Sequence, residues 1–134
     1  MQSMTVVYLF IGLITKHFLC DFPLQTRYQY SNKGTYGHPG GLLHALISVA
    51  GTMVALVVVL GYYNFFWWVA LLEGVIHYHM DWAKMNLNNK WKLGPLTSEQ
   101  FWWLLGFDQW IHYLTYAAMI IWLMMFGAYY GVQF

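Results

Sequence analysis

The stretch LLEGVIHYHMDWAK, residues 71–84, combines a membrane-like run of apolar side chains with several ionisable ones. Its Glu73, His77 and Asp81 follow one another at intervals of four residues, and residues four apart lie on the same face of an α-helix. Lys84 falls close to that face. Because charged groups are costly inside a membrane, a polar stripe in such a segment indicates a functional site. The stretch therefore predicts a membrane helix that carries part of a site.

The composition indicates an integral membrane protein. The 134 residues are 60% hydrophobic and only 8% charged, whereas soluble domains carry about 25% charged residues. A net charge of +1 excludes nucleic-acid binding through a basic surface. The single cysteine, Cys20, has no partner for an internal disulfide and is expected to be a small buried apolar residue. We therefore expect one compact membrane domain over residues 1–134.

Four apolar segments divide the chain, and each approaches the length of about 20 residues that a helix needs to cross a bilayer. Pro23 ends the first segment, and Thr97 with Gln100 predicts a capping box at the start of the fourth. Residues 23–40 and 85–96 are interpreted as polar loops. The predicted fold is all-α, an antiparallel bundle of four transmembrane helices at about residues 4–22, 41–60, 65–84 and 98–126.

The distribution of basic residues predicts the orientation. Arg27 and Lys33 lie in the first long loop, and Lys90 and Lys92 lie in the second. The turn at residues 61–64 and the two termini have none. The positive-inside rule then places both long loops in the cytoplasm and both termini outside it.

Each predicted helix brings ionisable side chains to the cytoplasmic half of the bundle. Three His/Asp pairs are spaced four residues apart, so each pair presents two groups from one helix face. Imidazole and carboxylate together suit zinc, manganese or iron, and carboxylate four-helix bundles hold metal ions on facing helices in this way. The predicted ligands of a divalent metal, most simply zinc, are His17, Asp21, His44, His77, Asp81, Asp108 and His112.

These donors exceed one tetrahedral site, so two interpretations stay open. Either two metal ions bind, or some aspartates accept hydrogen bonds from the ligand imidazoles. A third interpretation needs no metal: His–Asp hydrogen bonds that only join helices. Glu73, one turn deeper than His77, is a candidate general base or further ligand. The candidate catalytic residues are Glu73, Asp81 and Lys84, and the candidate substrate contacts are Gln25, Lys84 and Gln109.

Two further histidines are expected outside the site. His79 is two residues off the polar stripe and should face another helix or the lipid. His38 lies in a Gly-rich turn and should be solvated.

The polar residues form a pattern along the chain: His17-x3-Asp21-Phe22-x-Leu24-Gln25, His44, His77-x3-Asp81-x2-Lys84 and Asp108-Gln109-x2-His112. This pattern resembles a small bacterial and phage membrane family catalogued as a domain of unknown function. The resemblance covers most of the chain and implies a shared polar core. It also implies a protein of a bacterial inner membrane, encoded by the bacterium or by a phage. More distantly, the chain is similar to small membrane-bound metal-dependent hydrolases, which is an analogy at the level of general appearance.

We expect a metal-dependent hydrolase that acts on a lipid or lipid-linked phosphate at the cytoplasmic leaflet. The metal would activate a water molecule with help from a carboxylate base, close to the lipid head groups. Transport of metal ions or protons is the main alternative, because buried His, Asp and Glu side chains suit relays. A haem-binding function would explain the histidines as axial ligands but not the carboxylates, which haem iron does not need. An accessory role in a larger membrane complex, and a homo-oligomer, stay open.

Overall fold

The computed structural model describes residues 2–63, 66–130 and 132. Within these ranges the chain forms α-helices and one short 3-10 helix, which confirms the all-α prediction. The predicted start of the third segment at Phe65 lies outside the described residues. The helices are α1 Gln2–Asp21, α2 Arg27–Asn32, α3 Pro39–Leu60, α4 Phe66–Lys90 and α5 Glu99–Phe126, and the 3-10 helix Gly127–Tyr130 follows α5.

The chain has five α-helices in the described ranges where four were expected, because part of the first long loop is helical. Helix α2 begins with a capping box: Thr26 Oγ1 accepts a hydrogen bond from the backbone N–H of Gln29, and Gln29 Oε1 accepts one from the N–H of Thr26. Reciprocal capping of this kind satisfies N–H groups that a helix end leaves free. It allows a helix of only six residues to form.

Helices α5 and α3 differ in the hydrogen bonds at their N-terminal ends. The predicted capping box of Thr97 and Gln100 is wrong: α5 begins after Ser98, and no side chain caps it. Ser98 Oγ instead accepts a hydrogen bond from the N–H of Gly94 at 3.1 Å. At the start of α3, His38 Nδ1 accepts a hydrogen bond from the N–H of Gly40 at 3.0 Å, so His38 is a capping residue and only partly solvated.

The four long helices form an antiparallel bundle with an apolar half and a polar half. The apolar half is built from the N-terminal parts of α1 and α4 and the C-terminal parts of α3 and α5. Its fully buried side chains include Leu9, Leu56, Phe66 and Leu123. Cys20 is buried as expected. The polar residues of each helix lie at its other end, so the bundle topology itself brings them together.

Among the described residues, three helices are long and apolar enough to cross a membrane: α1 from Met4, α3, and α5 extended to Tyr129. Helix α4 does not reach that hydropathy, because the polar stripe with Glu73 and Asp81 lowers it. This stripe faces inward, and Leu72 and Val75 on the opposite face are more than half exposed.

Candidate metal centre

All of the predicted metal ligands lie in one buried cluster, and each is at most 6% exposed. Three overlapping groups of three residues in this cluster have donor atoms within 4.8 Å of one another and could hold a metal ion. The cluster consists of His17 and Asp21 on α1, His44 on α3, His77 and Asp81 on α4, and Asp108 and His112 on α5.

Four of these side chains, Asp21, His44, His77 and Asp81, converge most closely, and we call them the tetrad. The Nε2 atoms of His44 and His77 are 3.1 Å apart. His44 Nε2 lies 3.3 Å from Asp21 Oδ1 and 3.1 Å from Asp81 Oδ2. His77 Nε2 lies 3.4 and 3.5 Å from the same two oxygens. In a tetrahedral zinc site with bonds of about 2.0–2.1 Å, neighbouring donors are about 3.3–3.4 Å apart, which is close to these five separations.

The other nitrogen of His77 faces Glu73. His77 Nδ1 is 3.6 Å from Glu73 Oε1 and 3.4 Å from Ser48 Oγ. If Nδ1 carries the proton and shares it with these oxygens, Nε2 is left with a lone pair directed into the tetrad, as a metal-binding imidazole requires. The structure thus places Glu73 behind a candidate ligand, where it can orient the ring, and away from the donor atoms of the tetrad.

Glu73 is itself held by neighbouring helices. Lys16 Nζ donates to Glu73 Oε1 at 3.1 Å and to Ser48 Oγ at 2.7 Å. Thr52 Oγ1 donates to Glu73 Oε2 at 3.0 Å. No role for Lys16 was predicted from the sequence, although a lysine inside an apolar segment is a signal of function. The buried ion pair of Lys16 and Glu73 fixes the position of Glu73 relative to α1 and α3.

Asp108 and His112 on α5 lie beside the tetrad. Lys84 Nζ donates to Asp108 Oδ2 at 2.7 Å and to Asp81 Oδ1 at 3.4 Å. Asp108 Oδ1 is 3.4 Å from His112 Nε2, and neither of these buried atoms forms a hydrogen bond with the described residues. The ring of His112 packs on that of His77 with centroids 4.3 Å apart.

Both nitrogens of His17 have partners. Its Nε2 lies 2.9 Å from Gln109 Oε1, and its Nδ1 lies 3.1 Å from the hydroxyl of Tyr116. The oxygen of Gln109 can only accept, so the Nε2 atom carries the proton in this arrangement. Gln109 therefore orients His17, a role that was not predicted from the sequence. Tyr116 was missed because nothing in its sequence context marks it as polar.

Gln25 lies in the loop between α1 and α2, next to Asp21 of the cluster. Its amide donates to the backbone carbonyl of Asp21, and its Oε1 is buried without a hydrogen bond to any described residue. His79 is exposed and contacts Tyr36 at 3.1 Å. His79 therefore lies outside the cluster, as expected.

Lys33 was missed as a site residue. The sequence predicts a loop charge that indicates orientation, but Lys33 is only 4% exposed. Its Nζ donates to Asp81 Oδ2 at 2.8 Å and lies 3.4 Å from His44 Nε2. No local pattern signals this contact, because Lys33 reaches the tetrad only through the packing of α2 on α3.

The charges of the cluster nearly balance. In the described part of the chain, four buried carboxylates face the ammonium groups of Lys16, Lys33 and Lys84, which leaves one negative charge when the histidines are neutral. Asp21 is the carboxylate that contacts only histidines in these ion pairs. A cation at the tetrad would compensate this charge.

The fold and the cluster define a helical protein, with helices that could span a membrane, which buries a His/Asp centre that could hold a metal ion. The chain belongs to the family described as "Protein of unknown function (DUF3307)", whose model matches residues 9–132. This match confirms the resemblance to an uncharacterised family. No curated protein and no solved structure matches the chain.

Proposed function

We propose that this protein is an integral membrane, metal-dependent hydrolase that acts on a lipid or lipid-linked phosphate at the cytoplasmic leaflet. The observation that carries the metal-binding part of the proposal is the tetrad: two imidazole nitrogens and two carboxylate oxygens from three helices, 3.1–3.5 Å apart in the measured pairs. Zinc suits this donor set best, because it takes four nitrogen and oxygen ligands in a tetrahedron, whereas manganese favours more oxygen ligands.

A membrane location of all four long helices fits the exposed surface of α4. This helix has 25 residues, a length of about 38 Å, which exceeds the thickness of the hydrocarbon core. Its inward polar face is covered by the other helices, and its outward face is apolar from Trp67 to Ile76. The basic residues Arg27, Lys90 and Lys92 remain exposed at the end that carries the cluster, which favours a cytoplasmic site under the positive-inside rule.

The charge of the cluster supports an anionic substrate. One divalent ion would change the net charge of the cluster from −1 to +1, which favours the binding of a phosphate group. Lys84 is the most exposed of the three cluster lysines, with 11% exposure of its side chain, and suits contact with such a group. Metal-assisted hydrolysis would then use a bound water molecule as the nucleophile.

A cavity between α4 and α5 supports a substrate with a hydrocarbon chain. It has a volume of about 450 Å³ and is lined by apolar side chains such as Leu72, Ile76 and Leu114, with Glu73 at its wall. Ile76 and Ile111 at one end of the cavity are next in sequence to His77 and His112. A lipid with its head group at the cluster would place its chain along this cavity, toward the centre of the bilayer.

The first experiment is elemental analysis of the protein purified in mild detergent without chelators. We expect at least one equivalent of zinc in the wild type and its loss in His77→Ala. His79→Ala is the matched control, because His79 lies on the same helix but is exposed and outside the cluster. Protein without metal in all three samples would contradict the proposal, and so would turnover of phosphate lipids that survives removal of the metal.

Transport is the second candidate, and the buried pair of Lys16 and Glu73 favours it by extending the polar path one turn deeper. Beyond Thr52, however, the bundle is closed by fully buried apolar residues such as Leu9 and Leu56. Flux of protons or zinc into proteoliposomes that contain the purified protein would support transport over hydrolysis.

A further inference from the structure

The tetrad alone explains metal binding better than hydrolysis. Four protein donors complete a tetrahedral zinc site, and zinc sites of this kind are typically structural. Catalytic zinc sites have three protein donors and keep one position for water or substrate. The reaction proposed above therefore needs a coordination position that the tetrad does not supply.

We propose that a second divalent ion binds beside the tetrad, at Asp108, His112 and the second carboxylate oxygen of Asp81. This inference rests on the proposed function and deepens it, because the second centre would have three protein donors and open positions for water. Asp81 would bridge the two ions, with Oδ2 in the tetrad and Oδ1 on the second ion. Two-metal hydrolytic sites hold their ions about 3.5–4 Å apart, a distance that a bridging carboxylate suits.

The strongest observation is a pair of unsatisfied atoms. Asp108 Oδ1 and His112 Nε2 are buried, lie 3.4 Å apart and form no hydrogen bond with described residues. Asp108 is fully buried and His112 is 1% exposed. Buried polar atoms nearly always have a hydrogen-bond partner, so two adjacent atoms of metal-binding type without one indicate a missing ligand. Their separation matches that of neighbouring donors around one ion.

The remaining contacts of Asp108 leave these atoms available. Lys84 and Gln109 both donate to Asp108 Oδ2, at 2.7 and 3.2 Å, so Oδ1 is the free oxygen. Asp81, Asp108 and His112 together have donor atoms within 4.8 Å of one another. When the second ion binds, Lys84 Nζ would keep its hydrogen bond to Asp108 Oδ2. It would lose the longer hydrogen bond to Asp81 Oδ1, which measures 3.4 Å.

Two ions also change what the site can bind. The cluster would carry a charge of +3 with both divalent ions, which favours a phosphate ester over a neutral lipid. Hydrolysis of such an ester needs no further co-reactant: the oxygen of water bonds to phosphorus, the P–O bond to the alcohol breaks, and one water proton passes to the leaving oxygen. The ligand class is thus a divalent cation pair with a phosphate ester.

To test this proposal, the protein in detergent is loaded with Mn²⁺ or Zn²⁺, and the number of bound ions per protein is measured. We expect two equivalents in the wild type, one in His112→Gln and two in the control His79→Ala. In the manganese samples, the electron paramagnetic resonance spectrum should show a coupled pair in the wild type and an isolated ion in His112→Gln. Relaxation of water protons should also be slower in His112→Gln, because the ion with open positions is lost.

The outcomes separate this inference from the proposed function. One equivalent in the wild type, unchanged in His112→Gln, would overturn the second centre and leave the tetrad in place. No bound metal in the wild type would overturn both. The number of metal ions bound by the wild type does not depend on whether a variant folds. Asp108→Asn provides a second variant, whose side chain has nearly the same shape as that of aspartate.

Discussion

The imidazole ring of His77 faces a different group at each nitrogen. Its Nε2 points into the tetrad, 3.1 Å from Nε2 of His44, and its Nδ1 lies 3.6 Å from Glu73. A carboxylate behind a metal-bound imidazole fixes the tautomer and makes the ring a better ligand. The loss of such a partner typically reduces metal affinity by about 10–100-fold.

Glu73→Gln is therefore expected to weaken zinc binding at the tetrad about 10-fold or more, although no donor atom of the tetrad is removed. The measurement is a competition titration with a chromophoric chelator. Glu99→Gln is the matched control, because Glu99 is exposed in the first turn of α5 and contacts no residue of the cluster. Equal zinc affinity of Glu73→Gln and the wild type would mean that Glu73 only joins helices through Lys16.

The positions of the site residues could be predicted from helical spacing, but several of their roles could not. A spacing of four residues places His77 and Asp81 on one face whatever surrounds the helix. Which nitrogen of His77 meets Glu73 depends on Lys16 and Ser48, which come from two other helices. Lys33 is a stronger example, since its contact with Asp81 spans 48 positions of the chain.

At the scale of elements, α3 and α4 pack closely where α4 has a glycine. A Cβ atom built on Gly74 would lie 2.3 Å from Val49 Cγ2, so one of the helices would have to shift. The branched side chain of Val49 has little freedom to move aside. Because Gly74 is less than one turn from His77, such a shift would also move a ligand of the tetrad.

Gly74→Ala is expected to destabilise the protein by about 1–3 kcal/mol, the usual range for overpacking, and to lower its metal content. Gly106→Ala is the matched control on α5, because a Cβ there meets no atom of the described residues within 4 Å. This change should leave stability equal or raise it by up to about 1 kcal/mol. Thermal unfolding in the same detergent compares the two. Equal midpoints would contradict the close approach of α3 and α4.

The helix ends show why element boundaries were harder to predict than the elements. Thr97 and Ser98 are adjacent residues of good capping type, and the choice between them depends on the hydrogen bonds of Ser98 with Gly94. Helix α2 was missed because six residues are too short to show a helical period. The apolar length of the long helices made them predictable, but α4 continues six residues past its predicted end at residue 84, to Lys90, so the start of the predicted second polar loop is helical.

At the scale of the whole molecule, the proposal depends on α4 crossing the membrane with the cluster on the cytoplasmic side. Two exposed residues flank α4: Tyr62, 74% exposed before it, and Leu96, 97% exposed after it. If α4 crosses the membrane, these residues lie on opposite sides. If the cluster is cytoplasmic, Leu96 is inside, because it lies at the same end of the bundle as Lys84 and Asp108.

Single cysteines test both points in a Cys20→Ala background. We expect a membrane-impermeant maleimide to label Tyr62→Cys in intact cells, and to label Leu96→Cys only after the cells are permeabilised. Labelling of both variants in intact cells, or of neither, would mean that α4 does not cross the membrane. The reverse pattern would keep the bundle but place the cluster at the outer leaflet, and the substrate would then have to be sought among lipids of that leaflet. Replacing Cys20, the chain's single native cysteine, by alanine removes background labelling. Because Cys20 is a small buried side chain, the replacement changes the packing little.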